Sequence, residues 1–402
     1  MTTGAAERRS FTMFKLYILF LYGAFSLLFT YVPLLFLEHG LTRFQIGMLM
    51  AGGPFVSILA NPFWGYWSDR MQNVRRTLII LVICNLIVVQ PVFHLHSFSW
   101  LYLVLLLYFF FQSPTFSQSN SLILSTIENT PYKFGTFRLW GSLGWAIAAV
   151  AAGPVLTAVG IEQLWWLYSG ILMISLLFVF SIPQPKPAAA SDALPGGGFK
   201  QLLGNRPFVM LLLLGVLISV PNSINSTFVS IYLTDMGGSA TWIGWAAFLS
   251  SVFEAPVFLL LDRYLKRDSR TMFVCLALVS LLFSVRWLLM MLVDSPMQLI
   301  FIQLLHCITY GGYYYIGTNL TGHLIPARMR ASGQAAFALT WGGVSGIFAG
   351  FAGGWMYDTL GAGKMYGIGA GVSLIGMVGF LLIWRGMRQS AADRGTDAAA
   401  GV

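Results

Sequence analysis

Phe14–Leu37 reads FKLYILFLYGAFSLLFTYVPLLFL, an apolar run interrupted by one lysine. A membrane-spanning helix needs about 20 apolar residues, whereas a strand of an outer-membrane barrel needs about 10 with strict alternation. This run does not alternate, and neither does Leu276–Val293, LALVSLLFSVRWLLMMLV. Helices are therefore predicted rather than a barrel. The whole chain agrees: 57% of its 402 residues are hydrophobic and only 9% are charged. A soluble domain carries about 25% charged residues, so a soluble enzyme is excluded. Aromatic residues make up 15% and glycines number 42, which suits helices packed closely in a bilayer with Trp and Tyr at its interfaces.

Reading apolar runs between polar breaks predicts twelve spans: 13–37, 44–68, 76–94, 98–123, 136–159, 162–182, 207–233, 241–261, 271–293, 297–320, 331–357 and 364–385. The fold class expected is an all-α membrane protein of twelve transmembrane helices. With the N-terminus in the cytoplasm, the basic residues fall on one side. They run from Arg8 and Arg9 through Arg70, Arg75, Arg76 and Lys133, then Lys186, Lys200 and Arg206, then Arg263, Lys266, Arg267 and Arg270, to Arg328, Arg330, Arg385, Arg388 and Arg394. Only Arg43 and Lys364 fall opposite. Positive loops mark the cytoplasmic side, so both termini are expected inside the plasma membrane. The net charge of +9 then faces anionic headgroups, and no nucleic-acid partner is expected. Arg8–Arg9 lead directly into a full-length span, so no cleavable signal is predicted. Cys84, Cys275 and Cys307 show no paired spacing, so neither a disulfide nor a metal site is expected.

The largest break, Pro183–Arg206, reads PQPKPAAASDALPGGGFKQLLGNR, a Pro- and Gly-rich linker. It divides the chain into a six-helix half at 1–182, a cytoplasmic linker at 183–206, a second six-helix half at 207–388 and a tail at 389–402. A weak repeat supports the division. Asp69-Arg70 and Arg75-Arg76 follow the second span, and Asp262-Arg263 and Lys266-Arg267 follow the eighth. Two matching six-helix halves describe a transporter built from parallel repeats.

Gly65-Tyr66-Trp67-Ser68-Asp69-Arg70 followed by Arg75-Arg76 resembles the signature between the second and third helices of the major facilitator superfamily, with a few extra residues before the basic pair. The resemblance implies the major facilitator fold, with two pseudo-symmetric halves. It also implies that Gly65, Asp69, Arg70, Arg75 and Arg76 form a gating loop contacting helix ends of the other half. Within that superfamily the chain resembles the phenylpropionate permeases and, more distantly, the galactoside–proton and nucleoside–proton symporters. The resemblance rests on Phe134–Gly144, Glu254, Arg286-Trp287 and Gln303–Cys307. The galactoside carriers have a glutamate one turn after the histidine, where this chain has Thr309 or Tyr310, and an acid near Asn120. Their proton chemistry does not carry over whole.

Charge inside a span costs at least ~2.5–3.5 kcal/mol and is kept only where it faces the bundle interior. Glu254 lies about 12 Å from the end of its span marked by Asp262, and Arg286 about 22 Å from Thr271. The gap of about 10 Å predicts a conditional pair, engaged in one access state and released in another. If solute competes for Arg286, solute binding and protonation of Glu254 become linked. His306 lies in the next span, as a proton carrier, a hydrogen-bond partner of solute or a packing residue. Arg138 either snorkels at the interface or meets solute. Trp140 and Trp145 either stack on a solute ring or anchor the interface. Asn222 and Asn225, three apart beside Pro221, either repair the helix or bind solute, and Asn120 in the fourth span has the same two readings.

The function expected is proton-coupled symport of a small organic solute (an aromatic acid, sugar or nucleoside) by a monomer, with no cofactor. The alternative is a proton-driven exporter of small amphipathic compounds, because Gly153-Pro154 resembles part of the antiporter signature of drug exporters. The chain carries no HExxH and no G-x-S-x-G motif, so no catalytic residue is expected. The topology predicts that a cysteine replacing Gly361 reacts with an impermeant maleimide from outside intact cells, while a reporter fused at Val402 reports the cytoplasm. Labelling of that cysteine only after lysis would contradict the helix count.

Overall fold

A computed structural model describes residues 2–127, 130, 134–182, 202, 204–266, 268–326 and 329–400. Most of the linker, at 183–201 and 203, lies outside the described residues, as do Lys133, Lys186, Lys200, Arg267 and Arg328 used above for orientation. The described chain forms twelve rods and no strand. The first six are α1 (Thr2–Glu38), α2 (Arg43–Met71), α3 (Val74–Val88, prolonged by a 3₁₀ turn at Gln90–Phe93), α4 (Phe98–Ile127), α5 (Phe134–Val159) and α6 (Leu164–Phe180). The second six begin with α7 (Arg206–Asp235). Next come α8a (Ala240–Val252) with α8b (Glu254–Tyr264), α9 (Ser269–Met291) and α10 (Pro296–Leu324). Then α11 is assembled from Arg330–Ala338, Ser345–Phe348 and Gly354–Leu360, and α12 is Ala362–Ala400. Eleven of the rods are long and apolar enough to cross a membrane; α10, with its Gln303, His306 and Asn319, falls outside that set.

Local chemistry sets the boundaries. Gly40, at φ +81°, turns α1 into α2, whose first turn is closed by a capping box of Thr42 and Gln45. Asn73, Asn205, Asp268 and Ser295 cap α3, α7, α9 and α10 with side-chain oxygens. Hydrogen bonds from Thr271 also hold the Asp268 carboxyl below the usual carboxylate range.

Three predicted elements differ from the structure. The expected loop at Gly65–Arg76 is mostly helix, because nothing breaks α2 before Met71; the turn is made by Gln72, at φ +48°, and Asn73. The eighth span is not continuous: it breaks at Phe253. Pro256 has no N–H for the Val252 carbonyl and its ring crowds that carbonyl, so the regular ladder ends there. The eleventh carries π-helical turns at Leu339–Val344 and Ala349–Gly353, which redirect a glycine-rich surface toward α2 and α7.

The two sets of helices meet mainly through α5 with α8, α2 with α11 and α1 with α7. Many of these contacts lie toward the end away from the termini, where α1 ends and α2 begins. There Gly47 and Gly350 bring two backbones together: a Cβ on Gly47 would sit 2.1 Å from the Gly350 carbonyl oxygen, and one on Gly350 2.3 Å from that of Gly47. At the same end Arg43 Nη2 lies 2.8 Å from both carboxylate oxygens of Asp235, and the Tyr357 hydroxyl donates to Asp235 Oδ2 at 2.8 Å. The Asp358 carboxylate accepts the Phe44 amide at 2.8 Å, capping α2 from the other set. Tyr31 donates to the Ala149 carbonyl at 2.7 Å between α1 and α5, and Thr157 meets Thr241 at 2.9 Å between α5 and α8a. This end is closed by packing, hydrogen bonds and an ion pair together.

Gly350→Ala is expected to force α2 and α11 apart at this end, at an overpacking cost of about 1–3 kcal/mol. Nitroxide labels at Glu162→Cys and Asp294→Cys, one on each set, should report a longer interspin distance in the variant. An unchanged distance would mean the glycine contact does not hold this end closed.

Candidate functional site

The site grows from a single buried cation. Arg286, on α9, has no solvent exposure, and its guanidinium cannot shed its charge. Its Nη2 donates to Gln303 Oε1 at 2.7 Å, and its Nη1 donates to His306 Nδ1 at 3.0 Å and to Thr309 Oγ1 at 3.4 Å. The three partners recur every three residues along α10, so they share the face turned to α9. The Trp287 ring lies 4.5 Å from the guanidinium carbon. Gln303 Oε1 also receives Asn225 Nδ2 from α7 at 3.4 Å, and Asn225 Oδ1 receives the Tyr366 hydroxyl from α12 at 3.1 Å. One amide–guanidinium network therefore ties α7, α9, α10 and α12 together.

His306 passes the network to Glu254. Because Arg286 can only donate, His306 Nδ1 must accept, which leaves the proton on Nε2. That nitrogen lies 3.9 Å from Glu254 Oε1. The break at Phe253 puts Glu254 in the first turn of α8b, where the helix dipole favours a carboxylate. The expected contact between Glu254 and Arg286 is not made in this structure: His306 stands between them. The sequence argument counted carboxylates as the partners able to hold Arg286 and passed over the amide and hydroxyl one turn either side of His306.

Arg138, on α5, does not snorkel to a headgroup. Its guanidinium lies 4.9 Å from the Tyr22 ring, among Glu254, Tyr310 and Tyr314 of the second set, with which it interacts electrostatically, and its side chain remains accessible to solvent. It is the cation on the first set that faces Glu254. The site is thus a cleft between the two sets. One wall is a stack along α10: His306 on Tyr310 at 4.9 Å and 8°, then Tyr310 on Tyr314 at 5.9 Å and 16°. Trp341 of α11 backs Tyr310 and Tyr313. Of the three consecutive tyrosines, Tyr314 is exposed, Tyr313 is buried, and Tyr315 donates to Asp262.

The other candidates divide. Asn120, half-buried, has a carbonyl oxygen with no hydrogen-bond partner among the described residues, one turn beyond Phe116, which packs edge-on against Tyr22. Asn222 is buried with its Oδ1 likewise unpaired. Asn225 belongs to the Arg286 network. The helix α7 runs unbroken through Pro221, with Ser226 donating to the Asn222 carbonyl at 3.1 Å. Trp145 stacks on Phe29, and Trp140 is half-buried against the core. Arg75 donates to the Val179 and Phe180 carbonyls at the end of α6, and Arg70 to the Tyr66 hydroxyl. The Arg75 contacts tie the α2–α3 turn to α6; Gly65 and Asp69 lie on the last turns of α2. The sequence reading missed Tyr22, Gln303 and Thr309. The spacing of Gln303, His306 and Thr309 was the available signal for the last two.

Twelve rods, eleven of them long and apolar enough to cross a membrane, around a charged cleft fit a multi-pass transporter of small solutes. A model of the MFS_1 like family matches residues 11–368, and the chain belongs to this branch of the major facilitator superfamily. It is 27% identical over 395 residues to a maltose permease of Geobacillus stearothermophilus, covering 97% of this chain and 98% of that protein. It is 27% identical over 339 residues to a probable 3-phenylpropionic acid transporter of Escherichia coli (strain K12), covering 81% and 86%. Among solved structures, a mutant form of the nucleoside transporter NupG superposes with a TM-score of 0.79 at 16% identity, covering 92% of this chain and 98% of that one. That likeness is one of fold.

Replacing Arg286 by Lys keeps the charge and removes the planar fork that reaches Gln303 and His306 together. Each charged hydrogen bond contributes about 1.5–3 kcal/mol. Arg286→Lys is therefore expected to lower the thermal midpoint of the purified protein, and Gln303→Leu, which removes the shortest bond, to lower it as well. Unchanged midpoints in both would mean that the network does not hold α9 and α10 together.

Proposed function

We propose that the protein is a proton-coupled symporter of a small organic solute, working by alternating access, with Glu254 as the proton site. The observation that carries this reading is the line from Arg286, hydrogen-bonded to His306, to Glu254, whose Oε1 lies 3.9 Å from His306 Nε2. His306 Nε2 donates more strongly to an ionised Glu254 than to a protonated one, so protonation loosens its hold on the imidazole. Protonation then reaches Arg286 through the orientation of one imidazole ring. The cleft presents Arg138 and Glu254, with Arg286 enclosed behind His306, and a wall of stacked rings. That combination suits a ring-bearing solute with a carboxylate or several hydroxyls. The names of the relatives, a maltose permease and a probable 3-phenylpropionic acid transporter, support the same range.

Both termini are assigned to the cytoplasm of the plasma membrane on the lopsided basic residues. The closed end then faces outward and the cleft opens inward. The halves 1–182 and 207–388 rock about the cleft as a monomer, and separation of Arg43 from Asp235 accompanies the opposite state. Asn120 and Asn222, each with an unpaired oxygen, are assigned to solute contact. The turn from Asp69 to Arg76 is assigned to holding α6 while the halves move.

A thermal-stabilisation screen of the purified protein against 3-phenylpropionate, maltose and uridine identifies the solute class. In proteoliposomes, Glu254→Gln is expected to abolish accumulation driven by a proton gradient and to retain exchange of solute across the membrane. Normal uphill accumulation by the Gln variant would remove Glu254 from the mechanism.

A further inference from the structure

The break in α8 leaves a defect next to the proposed proton site, and one side chain fills it. In an unbroken helix the Phe253 amide would donate to the Leu249 carbonyl and the Glu254 amide to the Ser250 carbonyl. At the break the Phe253 amide turns to the nearer Ser251 carbonyl. The two vacated carbonyls, of Leu249 and Ser250, each lie 3.3 Å from the sulfur of Cys307 on α10. Cys307 is buried, at 1% exposure. A thiol has one weak donor, and here the two carbonyl oxygens share it across the break.

We propose that Cys307 is a positioning residue for Glu254: its thiol bridges the broken turn and thereby fixes the first turn of α8b, which carries the carboxylate. Cys307 follows His306 directly in the chain, so the same turn of α10 holds both the sulfur that anchors the break and the imidazole that faces Glu254. A movement of α10 shifts both together and keeps His306 and Glu254 in register. Without this bridge neither carbonyl has a partner from α10, and α8b can rotate about Phe253. The charged and titratable groups around Glu254 are His306 and Tyr310 on α10, Arg138 on α5 and Cys307 itself, with Arg286 on α9 beyond His306. The bridge sets how Glu254 sits among them.

The inference rests on Glu254 being the proton site, and infrared titration separates the two claims without requiring a solute. The protonated carboxyl of Glu254 is identified as the carbonyl-stretch band of the purified full-length protein that titrates in wild type and is missing in Glu254→Gln. Cys307→Ala is expected to move the midpoint of that band by at least about half a pH unit, and Cys307→Ser, which restores a donor and acceptor, to bring it back toward wild type. Should Cys307→Ala not fold, Cys307→Val fills the space without a donor and takes its place. A Glu254 band whose midpoint is the same in wild type and in the variant lacking a donor overturns the positioning role. Equal shifts in Ser and Ala also overturn it, because they point to packing rather than to the bridge. If no band depends on Glu254, the proton-site reading fails and this inference fails with it.

Discussion

The structure depends on a guanidinium buried without a carboxylate. Arg286 lies inside the second six helices with no exposure, where a charge costs at least ~2.5–3.5 kcal/mol on insertion scales. Gln303, His306 and Thr309 supply charged hydrogen bonds that can each return about 1.5–3 kcal/mol. Together they are enough to keep the cation in place. The arrangement also spends the acceptor of His306 on Arg286, which fixes its tautomer and aims a donor at Glu254. The polarity of α10, which keeps it outside the set of plainly apolar spans, follows from the same demand.

Closure of the opposite end uses different physics. Two glycines let the backbones of α2 and α11 touch, and no Cβ fits at either position. Arg43, Asp235 and Tyr357 add a bidentate ion pair and a hydrogen bond at a partly exposed site. Exposed ion pairs contribute little, about 0–1 kcal/mol, so shape carries more of the closure than charge does. A contact of that kind can be released without unfolding either set of helices. The cleft by contrast keeps its cations apart: Arg286 is enclosed in the second set, while Arg138 stays accessible and faces Glu254 from the first.

Much of the fold was legible because hydrophobic length is a strong signal. All twelve rods lie where apolar runs were read, and their ends differ by a few residues in most cases. The differences arise where backbone geometry overrides composition. The second span was read to Ser68 and α2 runs on to Met71, because polar residues at the end of a spanning helix simply meet water. The break at Phe253 was readable from Pro256, but an apolar context concealed it. The π turns of α11 follow from close packing of its glycines against α2 and α7, which no local pattern encodes. In the site, Glu254, Arg286 and His306 stood out because ionisable groups are rare in apolar runs. Their order did not, since the distance between two helices is set by tertiary packing. Arg138 was ambiguous for the same reason: depth along a helix is readable, and the direction of a long side chain is not. Gln303, Thr309 and Tyr22 are ordinary residues in sequence and gain their roles from what faces them.

The central claim is that solute and proton meet through the Glu254–His306–Arg286 chain. It is tested most directly in proteoliposomes loaded with a pH-sensitive dye, with no imposed gradient and the membrane potential clamped. Solute chosen from 3-phenylpropionate, maltose and uridine by its stabilisation of the protein is added outside, and internal pH and labelled-solute uptake are followed together. The account predicts that the interior acidifies as solute enters, with the two signals sharing one time course. Solute entry at the same rate with no change of internal pH would contradict it.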